Sequence, residues 1–342
     1  MTDTQNEVFK TPVNKIRLFE HGAPGSQNLK LTRKYYTEDM PDGRVKHIVQ
    51  NITDPDIVPY IPDGIGNSTD RQRIPAVLII PGGAFRRLVY NFEGEDVAKW
   101  LNSMGIAAFV LECRLPSDEH DNAEDVPLID AMRAMRVIRG RAQEFGIDEA
   151  KIGVMGFSAG GFMAALLSTA YESDVYADYK YKDEYDKLSA RPDFAVCSYP
   201  VISIDDCIEA GKRYMSEEQV LERISDSKAK ILHKYNPDKL VRPDMPPVFI
   251  CETDDDRTTL SENSVGFYMA ARKAGVSAEL HIFRTGGHGY GCGDDFAQTG
   301  EWKVLFAEQL VDKLKLRELI REKTLVEGDI ANSKAEIAKS EE

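Results

Sequence analysis

Short apolar runs alternate with amphipathic stretches along most of this chain. Ala76-Val77-Leu78-Ile79-Ile80, Ile106 to Glu112, Ile152 to Met155, Phe194 to Tyr199, Pro247 to Glu252 and Ala278 to Phe283 are continuous runs of the kind buried in a parallel sheet. Glu95 to Met104, ended by Gly105, reads as a helix. So does Val126 to Phe145, where Leu128, Ala131, Met132, Met135, Val137 and Ile138 recur at helical spacing. Strand and helix in alternation predict a doubly wound, mostly parallel sheet. Upstream, Leu29 to Tyr36 and Arg44 to Ile52 alternate weakly and predict antiparallel strands at the edge of that sheet. Asp54 to Arg73 is rich in Pro, Asp and Gly and reads as loop.

Two segments break the alternation. Tyr171 to Arg191 is acidic and rich in tyrosine, and Asp205 to Met245 is polar and helix-prone. The second makes residues 203–245 a candidate helical cap, with a surface decoration as the other reading. The domain reading is one unit over 1–320, followed by a charged helical tail over 321–342 that frays at its end.

A chain of 342 residues, 42% hydrophobic and 29% charged, can bury a large core. The net charge of −14 argues against nucleic acid or an anionic membrane as partner, since both need a basic face. No apolar run approaches the roughly 20 residues of a spanning helix. Met1 to Glu7 carries no basic segment followed by an apolar one, so no signal peptide is visible. Cys113, Cys197, Cys207, Cys251 and Cys292 are dispersed without metal-like spacing and read as reduced thiols. The expectation is a cytoplasmic protein without metal or cofactor. Homo-oligomerisation stays open.

The chemistry enters at Gly156-Phe157-Ser158-Ala159-Gly160, between the apolar run ending at Met155 and a helix-like run from Gly161. Strand, tight turn and helix around G-x-S-x-G make a nucleophile elbow, with the Ser158 hydroxyl standing free above the sheet. That motif predicts an acid and then a histidine, each after a later strand. Val248 to Cys251 runs into Glu252-Thr253-Asp254-Asp255-Asp256, where three aspartates compete. Gly286-Gly287-His288-Gly289 follows the Glu279 to Phe283 strand and supplies His288. His281 lies within that strand, and His21, His47, His120 and His233 have no such context. The loop Pro81-Gly82-Gly83-Ala84-Phe85 follows another strand, so its amides at Gly83 and Ala84, with that of Ala159, are candidate donors to an oxyanion. Asp118-Glu119-His120-Asp121 reads as a solvated loop in preference to a metal site.

Together the Pro81–Phe85 loop, Asp130 to Arg139 ahead of Phe145-Gly146-Ile147-Asp148, the elbow continued by Gly161, Glu262-Asn263-Ser264 and Gly286 to Gly289 resemble the acetyl-xylan-esterase-like members of the α/β-hydrolases. The resemblance covers about residues 75 to 312. It implies the α/β-hydrolase fold and metal-free hydrolysis of acetyl or other short-acyl esters on sugars, a small-molecule substrate. It also places the acid at Asp256, with Asp255 as the fallback. Ala84 stands where the family usually has a third glycine, which keeps the amide and alters pocket width. Arg86 and Arg87 replace apolar or aromatic residues and either meet a polar substrate or are solvated. The rival readings are a prolyl-oligopeptidase-type peptidase, for which no propeller repeat precedes the domain, and a non-enzymatic binding protein.

Overall fold

Aliphatic and β-branched runs with no solvated face must be covered on both sides, and they form the centre of the molecule. The structure is a computed structural model that describes residues 9, 13–64, 73–220, 227–293 and 298–313. Its strands are β1 (Ile16–Arg17), β2 (Lys34–Asp39), β3 (Val45–Gln50), β4 (Asp56–Tyr60), β5 (Ile74–Ile80), β6 (Leu88–Val89), β7 (Ala107–Glu112), β8 (Ile147–Phe157), β9 (Ala195–Ser198), β10 (Val248–Thr253) and β11 (Ala278–Phe283). Eight of them form one sheet in the order β1-β4-β7-β5-β8-β9-β10-β11. From β7 to β11 every pairing is parallel. All residues of β5 and β7 are buried, as central parallel strands require. This is the mostly parallel sheet that the alternation predicts, in the α/β-hydrolase arrangement that the resemblance implies.

The antiparallel strands at the N-terminal end differ from the expectation in place. β2 and β3 pair with each other and with β6 in a separate three-stranded sheet. The edge of the large sheet is instead β4, antiparallel to β7, followed by β1. β4 lies inside the Asp54 to Arg73 stretch read as loop, where composition misled. Among the described residues β1 pairs only with Asp56 and Ile57, and a strand so near the edge of a sheet tolerates Pro59. The rest of that stretch, 65–72, lies outside the described residues.

The predicted helix over 126–145 is two pieces, Val126–Gly140 and Ala142–Phe145. The first packs on the helix Ala159–Ala170 that follows the elbow. Its arginines tie down the tyrosine-rich segment: Arg133 binds Asp183 at 2.7 Å and Asp186 at 3.1 Å, and Arg139 donates to the Arg191 carbonyl at 2.9 Å. The Asp118–Asp121 loop is not simply solvated. His120 is buried with Nδ1 3.1 Å from Ser26, and Asp118 accepts the Ile52 amide at 3.3 Å. Desolvation, then the nearby Arg114 charge, lowers His120 to about 4. Among the described residues no group of three or more His, Cys, Asp or Glu could hold a metal ion.

The cap candidate contains helices Ile204–Tyr214 and Ser227–Lys234. Ion pairs of Arg213 with Glu262 (2.8 Å) and of Lys234 with Asp125 (2.6 Å) join these helices to the helix that begins at Ser261 and to the residue just ahead of the helix that begins at Val126. The chain divides into a unit over 1–299 and another over 300–342. In the second, Glu301–Lys313 is a helix, and the tail read at 321–342 lies outside the described residues.

Candidate active site

Ser158 ends β8 and opens the helix Ala159–Ala170 with φ 54° and ψ −117°. A serine in so sparsely populated a conformation persists only when its surroundings dictate it. Here its amide donates to the Ser198 carbonyl at 3.0 Å, and its own carbonyl accepts from the Phe162 amide at 3.0 Å. Gly160 completes the turn by close approach: a Cβ there would stand 1.9 Å from the Ile80 carbonyl oxygen.

Three residues separated by up to 130 positions in the chain converge here. His288 Nε2 lies 2.8 Å from Ser158 Oγ, and His288 Nδ1 lies 2.6 Å from Asp256 Oδ2. Among the three aspartates after β10, only Asp256 turns inward. Its Oδ1 accepts the Thr258 amide at 2.7 Å and the Thr259 amide at 3.0 Å, and its Oδ2 also accepts the Thr259 hydroxyl at 3.0 Å. Asp254 is exposed, and the fallback Asp255 accepts the Gly287 amide at 2.8 Å, which steadies the histidine loop. Burial works against the Asp256 charge, but the hydrogen bond and charge of His288 and the two threonine amides outweigh it and hold the carboxyl below its usual value. His281 is not part of the site and pairs with Glu279 at 2.7 Å.

The loop after β5 runs beside the elbow. Gly83, Ala84 and Phe85 have φ of 136°, 58° and 59°. The Gly83 carbonyl accepts the amides of Arg86 and Arg87, which curls the loop. No described group accepts from the amides of Gly83, Ala84 or Ala159, so all three are available as donors. A small pocket partly open to solvent lies against Gly82, Phe85 and Ala159 and is lined also by Leu115, Pro116, Pro127 and Met163. Arg87 is engaged with Glu38 at 2.5 Å.

Two residues beside the site carry no sequence signal. Glu93 is buried in a π-helical turn, Asn91–Glu95, and accepts the Gly82 amide at 2.8 Å and the Tyr199 hydroxyl at 2.9 Å. Tyr199, with φ 37°, lays its ring edge-on to His288 at 5.0 Å between centroids. Burial raises the Glu93 carboxyl, while the Tyr199 hydroxyl, His288 and the Gly82 amide act the other way. Glu252, also buried, is raised by desolvation and then by the adjacent Asp256 charge. A lone glutamate near a helix start and a tyrosine after a strand have too many ordinary readings to be singled out from sequence.

Known proteins are similar to this chain in sequence or in fold. The acetylxylan esterase of Xylanibacter ruminicola is 31% identical over 223 residues, 65% of this chain and 42% of that protein. The chain spans less than half the length of the curated relatives it matches. Among solved structures, the acetyl ester-xyloside bifunctional hydrolase of Caldicellulosiruptor lactoaceticus is 36% identical, with a TM-score of 0.60 over 76% of this chain and 88% of that one. The carboxylesterase Cest-2923 of Lactobacillus plantarum is 20% identical and shares the fold, with a TM-score of 0.61 over 83% of this chain and 98% of that one. A family profile described as BD-FAE matches residues 65–270, from ahead of β5 through the elbow and Asp256, and the chain belongs to that family.

Proposed function

We propose that the protein is a serine esterase that removes acetyl and other short acyl groups from carbohydrate esters. The continuous hydrogen-bonded series Ser158–His288–Asp256, at 2.8 and 2.6 Å, carries this reading. Ser158 Oγ attacks the ester carbonyl as His288 Nε2 takes its proton. Asp256, already ionised, fixes the imidazole tautomer and stabilises the imidazolium. The carbonyl oxygen becomes an oxyanion facing the amides of Gly83, Ala84 and Ala159. His288 returns the proton to the sugar oxygen as the ester bond breaks, leaving an acyl group on Ser158. Water then gives its proton to His288, attacks the acyl carbon, and the acid departs as Ser158 recovers its proton.

The names of the acetylxylan esterase and acetyl ester-xyloside hydrolase relatives support both the short acyl group and the sugar. Arg257, next to Asp256, lies 5.6 Å from the ring of Tyr214 on the Ile204–Tyr214 helix, which supports residues 203–245 as a cap bearing on substrate choice. Cys113, Cys197 and Cys251 are buried free thiols, which fits a reducing, cytoplasmic setting, and no described helix is long and apolar enough to cross a membrane.

The test is acetate release from acetylated xylo-oligosaccharides beside 4-nitrophenyl acetate, for the wild-type protein and Ser158→Ala. Turnover of both substrates should fall at least about 10⁴-fold in the variant. Undiminished turnover would remove Ser158 from its role, and wild-type activity confined to the nitrophenyl ester would remove the sugar.

A further inference from the structure

The donor loop and the histidine loop lie far apart in the chain, yet one buried side chain is tied to both, directly to the first and through Tyr199 to the second. Glu93 Oε2 accepts the Gly82 amide at 2.8 Å, and Glu93 Oε1 accepts the Tyr199 hydroxyl at 2.9 Å. The Tyr199 oxygen in turn accepts the Gly291 amide at 3.0 Å, three residues beyond His288. Each oxygen of Glu93 therefore receives a donor, the pattern that satisfies a buried carboxylate. Nothing at Gly82 has room to drift, because a Cβ there would lie 2.4 Å from the Phe157 carbonyl oxygen and 2.7 Å from Glu93 Oε2.

The direction of the Gly82 amide matters. It points at Glu93, while the next two amides, Gly83 and Ala84, have no described acceptor. Fixing the first peptide plane sets the path from which the next two depart. The π-helical turn at Asn91–Glu95 serves the same end. Turns with one extra residue recur at functional sites, and this one is pinned where the Asn91 side chain accepts the His47 amide at 2.9 Å.

We propose that Glu93 is a positioning residue for ester hydrolysis, holding the Gly83–Ala84 donors and, through Tyr199 and Gly291, the His288 loop in one register. The inference rests on the serine esterase reading. Its effect belongs to the transition state, because a displaced donor meets an oxyanion that exists only there.

The test compares Glu93→Gln and Tyr199→Phe with wild type, after circular dichroism has checked their folding. For Glu93→Gln, kcat should fall about 10²-fold, the cost of a misplacement near 1 Å, with KM within about threefold. Affinity for an alkylboronic acid, which forms a tetrahedral adduct on Ser158, should fall in the same proportion as kcat/KM. Tyr199→Phe should lose part of the same kcat, and the double variant should lose less than the product of the two. A folded Glu93→Gln with wild-type kcat, or with its loss entirely in KM, overturns the proposal. Should Glu93→Gln fail to fold, an unimpaired Tyr199→Phe overturns it. Amide hydrogen exchange reads the network without turnover: Glu93→Gln should quicken both Gly82 and Gly291, and an unchanged Gly291 overturns the link. Wild-type protein inactive on every ester would instead sink the esterase reading and the catalytic role with it, and the exchange result would still decide whether Glu93 links the two loops.

Discussion

Asp56 and Asp256 are both hidden from water, with 5% and 2% of their surfaces exposed, and their carboxyls move in opposite directions. Asp56 sits at the edge of the large sheet, directly opposite Glu112 in the β4–β7 register. Burial, then the Glu112 charge, raises it to about 6, against the pull of Arg33 and Lys15. Asp256 suffers the same burial and also has a carboxyl beside it, that of Glu252, but a histidine, two amides and a hydroxyl converge on it and prevail. Burial alone therefore decides little. The number and sign of the neighbours decide whether a hidden carboxyl stabilises the fold or stands ready for chemistry. At the sheet edge, Lys15 and Arg33 share two carboxylates at 2.5 to 2.6 Å, so the charges are used up in holding β1, β4 and β7 together.

Substitutions should separate the two regions cleanly. The largest effect is expected for Asp256→Asn, which keeps the shape and inverts the hydrogen-bond pattern at His288. Its kcat on 4-nitrophenyl acetate should fall about 10³–10⁴-fold, with the far-ultraviolet spectrum unchanged. A loss below about tenfold would put Asp256 on a level with Asp56. Arg33→Met comes next and should do the reverse. Leaving Asp56 and Glu112 with Lys15 alone should cost about 3–5 kcal/mol in urea unfolding. The activity of the molecules that remain folded should be unchanged, and a selective loss of kcat would break the separation.

The pH dependence of stability sharpens the contrast. The Asp256 carboxyl is held low, so its contribution is complete above the unfolded value near pH 4 and is lost as the pH falls further. Asp56 has the opposite sign. Between about pH 4, where the unfolded chain releases its proton, and about 6, the folded protein retains that proton, so stability from this group declines as pH rises through the window. Asp56→Asn should flatten the change in urea midpoint between about pH 4 and pH 6, and a variant with the wild-type slope would assign the decline elsewhere. The smallest effect belongs to Arg87→Ala. Its ion pair with Glu38 is half-exposed, so stability should change by less than about 1 kcal/mol. A KM on acetylated oligosaccharides within about twofold of wild type would confirm that Arg87 serves its partner; a larger rise would return it to the substrate.

How much of this was legible depended on whether a residue's meaning is local. Ser158 and His288 announce themselves, because a strained turn and a glycine-rich loop have recognisable spellings at strand ends. Asp256 was one of three neighbouring aspartates, and only the inward turn of the chain, fixed by the amides of Thr258 and Thr259, separates it from Asp255. Glu93 left no trace, since its partners at Gly82 and Tyr199 are set by the fold. The sheet-edge cluster was equally silent: Lys15 and Glu112 lie 97 positions apart. Strand β4 was missed for a different reason, that a strand so near the edge of a sheet accepts the aspartates and proline that usually mark a loop.

The strained turn at Ser158 has a consequence for anyone who would move it. The pentapeptide does not hold its own shape; the Ile80 carbonyl, the Ser198 carbonyl and Pro200, which lies 2.9 Å from a Cβ built at Gly161, confine it from two neighbouring crossovers. Grafted onto another strand–helix junction without those walls, Gly-Phe-Ser-Ala-Gly would relax into an ordinary helix start with an inert hydroxyl. The nucleophile is portable only as a cassette of three chain segments, which sets the smallest unit that recombination or design can exchange.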